Sequence, residues 1–275
     1  MVIIIQCRDR VGLVAAITSV LAKAELNIVS MREHVDLEEK MFFARIVVDG
    51  IQSQQNIEMA ITEVLPAGAI VKVNPLPEKK IVVLVTKEYH CLSDILTRNY
   101  FKTLGAKVLC VIGNHPDLRN ITEQFSIPFH FVSHENKSKE DFENDLTNII
   151  LQYEPDYLIL AKFMRILSPE FIMTFRLRII NIHHSFLPAF IGASPYMQAF
   201  KRGVKIIGAT AHFVTDDLDE GPIITQTIIP VNHSFTLTDL IKAGRENETA
   251  ALAKAMQLVF EDKVFVFNHK TVVFE

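Results

Sequence analysis

The sequence predicts an α/β protein of two domains. A ferredoxin-like βαββαβ sandwich comes first, and a doubly wound, mostly parallel, Rossmann-like sheet follows. Three observations predict this. The chain has 275 residues, which favours two cores over one. The stretch "NPLPEKK" at 74–80 places two prolines and three charges between apolar runs and reads as a joint. The apolar pattern also changes across it, from βαββαβ to strand, helix, strand, helix. The expected domains are 1–74 and 81–275, with 75–80 as the linker.

In the first domain, Val2 to Cys7 is an apolar run and forms a strand. Val11, Leu13, Val14, Ile17, Val20 and Leu21 recur at helical spacing, so 11–24 is an amphipathic helix. Asn27 to Val35 and Met41 to Val48 are strands joined by the turn "LEEK". Ile57 to Leu65 is a second helix and Ala69 to Val73 a fourth strand. In the second domain, "IVVLV" at 81–85 and "KVLCVIG" at 107–113 are unbroken apolar runs, as strands covered on both faces should be. "IPFHFV" at 127–132, "DYLIL" at 156–160 and "RIINI" at 178–182 continue the sheet. Helical stretches around 91–103, 117–125, 138–153 and 168–175 separate these runs. "IIGATAHFV" and "PIITQTIIP" then flank the acidic loop "TDDLDEG". A helix through "LIKAGRENETAALAKAMQLVF" and a last pair of β-type runs close the chain.

Composition narrows the function classes. Hydrophobic residues make up 49% and charged residues 22%, and the net charge is −4. No block of Lys and Arg offers a surface for nucleic acid or membrane. Cys7, Cys91 and Cys110 lie far apart without a CxxC pair, which fits a reducing compartment. The apolar stretch in "MVIIIQCRDR" is short for a signal peptide, and no run reaches the roughly 18 apolar residues of a membrane span. A cytoplasmic setting is the expectation.

The chemistry concentrates where strand 178–182 ends, in "NIHHSFLPAFIGASPYMQAF". Sites of doubly wound sheets form beyond such carboxyl ends. Asn181 offers an amide donor for a developing oxyanion. His183 can carry a proton near neutral pH. Asp219 can orient water and hold an imidazolium. Such a triple suits acyl transfer or amide hydrolysis. Spacing alone leaves the alternatives open: an Asn at a strand end is also a turn residue, and "DDLDE" is also a solvated loop. His212 alternates with apolar residues in "TAHFV" and is expected to face inward. Neighbouring side chains of an extended segment point to opposite faces, so His184 is expected to point away from His183 and not to share a metal with it.

Residue order adds a resemblance. "NIHHSFLPAFIG" followed by "GATAHFVTDDLDEGPII" closely resembles the signature of the folate-dependent formyltransferases. The resemblance implies Asn181, His183 and Asp219 as the catalytic set, with His212 in support. The stretch "AKFMRILSP" at 161–169 looks like the family's folate-pocket loop. It implies Met164, Arg165, Ile166 and Leu167 as substrate-binding residues, with Val214 and Thr215 on the facing loop. No metal and no prosthetic group is implied. The first domain resembles an ACT domain through "DRVGLV" at 9–14 and "LNIVS" at 26–30. That implies an amino-acid effector, glycine or methionine, at Asp9, Gly12 and Asn27, and a homo-oligomer assembled through this domain. Gly12 lets a ligand approach the backbone and the helix N-terminus favours a carboxylate. An ACT-like domain ahead of a formyltransferase-like domain resembles the formyltetrahydrofolate deformylase layout. The reaction implied is hydrolysis of 10-formyltetrahydrofolate to formate and tetrahydrofolate, supplying formate for purine synthesis and balancing one-carbon folate pools.

The first βα turn of the second domain bears on the acceptor. It reads "VLVTKEYHCLSDIL" at 83–96 and has no glycine, whereas a phosphate cradle needs close backbone approach. Water is therefore the expected acceptor, and formyl transfer to a small amine such as glycinamide ribonucleotide is the alternative. Transfer to a tRNA would require a basic surface, which the acidic balance lacks.

Overall fold

A computed structural model describes residues 1–74, 78–189 and 195–275. The expected linker at 75–80 falls partly outside the described residues, as do residues 190–192 of the histidine signature. The chain divides into two compact units.

Unit 1 comprises Met1–Pro77 with Glu261–Phe267 and Val272–Glu275. Its strands β1 (Val2–Arg8), β2 (Asn27–Asp36), β3 (Met41–Asp49) and β4 (Ile70–Asn74) alternate with helices α1 (Leu13–Lys23) and α2 (Gln54–Val64) in the order βαββαβ. The sheet order is β2-β3-β1-β4, and the pairings are antiparallel. Period-two alternation sorts the side chains. Ile3, Ile5, Ala44 and Ile46 pack with Leu13, Ile17, Leu21, Ile57 and Ile61 of the helices. Ile4 and Phe43 point to the other face, against Phe265, Phe267 and Phe274. The expected second domain runs to residue 275, yet these last aromatic residues group with the first unit. The reason is visible at Phe43, whose ring meets Phe265 and Phe267 edge-on at centroid distances of 5.7 and 5.6 Å. Arg45 ties the same segment down by donating to the carbonyls of Glu261 and Asp262.

Unit 2 comprises Glu78–Phe260 with Asn268–Thr271. In chain order it contains β5 (Lys79–Val85), α3 (His90–Tyr100), β6 (Ala106–Gly113), α4 (Arg119–Gln124), β7 (Phe129–Phe131), α5 (Lys139–Tyr153), β8 (Tyr157–Leu160), α6 (Pro169–Thr174) and β9 (Ile179–His183). Then come α7 (Pro195–Arg202), β10 (Ile206–Phe213), β11 (Ile223–Pro230) and α8 (Leu237–Phe260). The short β12 (Val264–Phe267) and β13 (Lys270–Val273) pair with each other. The seven-stranded sheet has the order β11-β10-β9-β8-β5-β6-β7. Strands β5 to β9 pair in parallel, and β10 and β11 add antiparallel at one edge. Ser138 and Ser168 cap α5 and α6 by accepting from the amides of Asp141 and Phe171. Helix α7 was not expected from the sequence. It is eight residues long, so helical periodicity has little length in which to declare itself.

Candidate active site

Register builds the centre of the site. Asn181 lies directly opposite His212 where β9 pairs with β10, so their side chains share a face. Asn181 Nδ2 is 3.2 Å from His212 Nε2, and His212 Nδ1 is 2.8 Å from the carbonyl oxygen of Phe213. A carbonyl only accepts, so Nδ1 carries the His212 proton. Nε2 is then the acceptor for the Asn181 amide, whose second N–H is left for another partner. Burial pushes the His212 ring below its ordinary pKa, keeping it in this neutral form. His212 is buried, as expected for an inward-facing strand residue.

His183 follows Asn181 by two residues and lines the same cavity. Its Nδ1 is 3.2 Å from Asp219 Oδ1. Its Nε2 is buried and has no hydrogen-bond partner among the described residues. Asp219 reaches this position through two backbone features. It sits at φ +59°, in the left-handed region where Asp is tolerated. Gly221, two residues on, lies so close to β10 that a Cβ there would fall 1.8 Å from the Phe213 carbonyl oxygen, so no larger residue fits. The hydrogen bond to His183 lowers the Asp219 carboxyl, outweighing partial burial, and the neighbouring imidazoles add to this. His212 Nε2 lies 3.9 Å from Asp219 Oδ1, beyond hydrogen-bond reach.

These groups open into a cavity of about 400 Å³. Met164, Arg165, Ile166 and Leu167 form one wall, and Val214, Thr215 and the loop to Asp219 the other. Met164 and Ile166 keep more than half of their surface exposed, an apolar lip suited to a flat ring. The loop is anchored where the Met164 amide donates to Thr86 Oγ1 at 3.0 Å, and the Arg165 guanidinium lies 5.9 Å from the Phe142 ring centroid. The expected catalytic and substrate-binding residues thus line a single cavity. In unit 1, Gly12 adopts φ +90° at the start of α1, while Asp9 and Asn27 are exposed.

One expectation fails. His184 does not point away from His183: the rings stack at 5.0 Å with an interplanar angle of 22°. Strand β9 ends at His183 and the chain bends there, so period-two alternation no longer applies. His184 and Lys162 also line the cavity, and sequence reasoning assigned neither. The available signal was Lys162 itself, a lone cation closing the apolar run before Met164 to Leu167.

Comparison with known proteins agrees with this architecture. The formyl transferase family matches residues 79–256, and the ACT domain family matches residues 1–63. A formyltetrahydrofolate deformylase of Haemophilus influenzae is 47% identical over 272 residues, 99% of this chain and 98% of the relative. The crystal structure of a formyltetrahydrofolate deformylase from Pseudomonas syringae pv. tomato superposes with a TM-score of 0.95 at 36% identity, covering 100% of this chain and 94% of that one. A glycinamide ribonucleotide transformylase from Symbiobacterium toebii is more distant: its TM-score is 0.69 at 28% identity, over 74% of this chain and 96% of its own. The chain is an α/β protein of the formyl transferase class with an ACT domain ahead of it. Within that class, it belongs to the formyltetrahydrofolate deformylase family.

His184 generates a pH prediction. Burial first, then the Lys162 and His183 charges, push its ring from 6.5 down to about 4. A depressed histidine stays neutral in the fold while the unfolded chain takes up a proton. Its contribution to stability is therefore complete above about 6.5 and lost as pH falls toward about 4. Asp219 is depressed too, but its loss falls below its ordinary 3.8, outside this window. Denaturant midpoints of the wild type should decline across the window, and His184→Gln should flatten that decline by up to one proton's worth of slope. Parallel curves for the two proteins would contradict the assignment.

Proposed function

We propose that this chain hydrolyses 10-formyltetrahydrofolate to formate and tetrahydrofolate, with Asn181, His183 and Asp219 as its catalytic residues. One observation carries the reading: His183 is tied to Asp219 through Nδ1 and presents a bare, buried Nε2 to the cavity. An imidazole held in this way can give a proton to a leaving nitrogen. The pterin lies along Met164 to Leu167 and the Val214–Thr215 wall. Asp219 orients a water at the formyl carbon. As the water attacks, the bare Nε2 of His183 takes the proton it loses, and the oxyanion of the tetrahedral intermediate accepts the free N–H of Asn181. His212 holds that amide in place. Collapse breaks the carbon–nitrogen bond, and Nε2 of His183 supplies the proton to the folate nitrogen. No step calls for a metal or a prosthetic group.

Water as the acceptor is supported by the turn between β5 and α3, where Tyr89 and His90 stand in place of a glycine-rich cradle. The three cysteines are free and buried, and no described helix is long and apolar enough to cross a membrane, in keeping with a cytoplasmic setting. Unit 1 is read as the regulatory element, with glycine or methionine at Asp9, Gly12 and Asn27 in a homo-oligomer. Calorimetry of the full-length protein checks this: millimolar binding of either amino acid, lost in Gly12→Val, is expected, and silence with every amino acid refutes it.

Turnover in water enriched in heavy oxygen tests the reaction itself. The label should enter formate, a chelator should not change the rate, and glycinamide ribonucleotide should not be formylated at a comparable rate. Asn181→Ala, His183→Ala and Asp219→Ala should each lower formate release by about 100- to 1000-fold while the fold persists. A variant keeping more than roughly a tenth of wild-type activity removes that residue from the catalytic set.

A further inference from the structure

Behind His184 lies a second group of buried ionisable side chains that the reaction above does not use. Glu248 of α8 is 1% exposed, and its carboxylate has three partners. Oε2 lies 2.7 Å from His90 Nε2 and 3.2 Å from Lys162 Nζ, and Oε1 accepts from the Tyr196 hydroxyl at 2.5 Å. Burial works to raise the Glu248 carboxyl, but the His90 hydrogen bond, the Lys162 charge and the Tyr196 hydroxyl together hold it at about 2. Well-packed apolar residues commonly stabilise a fold as well as such a group does, so stability alone does not explain it. A bound cation does not explain it either. His90, Cys91 and Glu248 place donor atoms within 4.8 Å of one another, but the Lys162 ammonium already neutralises that carboxylate.

Its position is informative. His90 opens α3 at the first βα turn. Tyr196 is pressed against Gly244, where a Cβ would lie 2.2 Å from the phenol. Glycine weakens the interior of a long helix, and here it makes room for that ring. Lys162 and His184 line the cavity that holds His183. The Tyr196 ring lies 6.1 Å from that of His184, which stacks on His183. The group is therefore one side chain away from the reacting centre.

We propose that Tyr196, His90, Lys162 and Glu248 form a self-satisfied plug that fills the acceptor side of the cavity and restricts the nucleophile to water. They are specificity-determining residues, of which only Lys162 lines the cavity itself. The inference rests on the hydrolytic reading above. An amine acceptor needs volume beside His183 and a group to receive its N–H bonds. Here the Tyr196 ring stands between His184 and Gly244, and both carboxylate oxygens of Glu248 are engaged by the plug's own donors. With the plug opened, an amine nitrogen attacks the formyl carbon in place of water. The new carbon–nitrogen bond forms, the bond to the folate nitrogen breaks, and the proton lost by the amine ends on the folate nitrogen through His183.

The test uses the full-length protein with 10-formyltetrahydrofolate and a fixed high concentration of glycinamide as the amine probe. N-formylglycinamide and formate are measured in the same tube, so their ratio does not depend on the folded fraction. Tyr196→Ala and His90→Ala should each raise the amide-to-formate ratio at least about tenfold over wild type. Tyr196→Phe keeps the ring and should stay near the wild-type ratio. Unchanged ratios in both alanine variants overturn the plug, as does a Tyr196→Phe ratio equal to that of Tyr196→Ala. A wild type that releases no formate overturns the hydrolytic reading and the plug together, whereas formate with unchanged ratios overturns the plug alone.

Discussion

The pairing of Asn181 with His212 across β9 and β10 is the constraint on which the site depends. It joins the last parallel strand of the sheet to the first antiparallel one. It also fixes the direction of the protons that Asn181 and His212 share. The Phe213 carbonyl can only accept, so His212 is protonated on Nδ1, and Asn181 must donate to Nε2. One amide hydrogen is thereby spent on positioning and the other is aimed. His183 inherits the same face from the pleat, and Asp219 meets it because Gly221 lets the loop fold back onto β10. Shifting β9 by one residue would turn both side chains to the opposite face.

Such a site works because its charges are arranged before the substrate arrives. The His183 bond keeps Asp219 ionised despite partial burial. Burial keeps His212 neutral, so it accepts from Asn181 and does not compete for the carboxylate. Preorganised dipoles of this kind need no rearrangement when an oxyanion develops. The apolar lip at Met164 and Ile166 contributes area without adding polar groups that would need partners.

Much of this was legible in the sequence because it depends on local pattern. Unbroken apolar runs marked β5 and β6 as covered on both faces, and alternation in "TAHFV" marked His212 as inward. The order of Asn181, His183 and Asp219 carried the resemblance. Other features were hidden because they depend on non-local packing. Nothing near Phe265 or Phe274 announces that these rings cover Phe43, more than 200 positions earlier. Alternation misplaced His184 because the strand stops one residue before it. Lys162, His90, Tyr196 and Glu248 stand on separate segments, and only the fold makes them neighbours.

The central claim is that Asp219 fixes the orientation of His183 and leaves Nε2 to do the chemistry. Nitrogen-15 NMR of the histidine rings in the full-length protein reads this directly, because in a neutral imidazole the protonated and the unprotonated nitrogen are distinct. The account predicts that the neutral His183 ring carries its proton on Nδ1, toward Asp219, and that Asp219→Asn abolishes the preference. A neutral His183 that carries its proton on Nε2, or one indifferent to Asp219→Asn, would contradict the account.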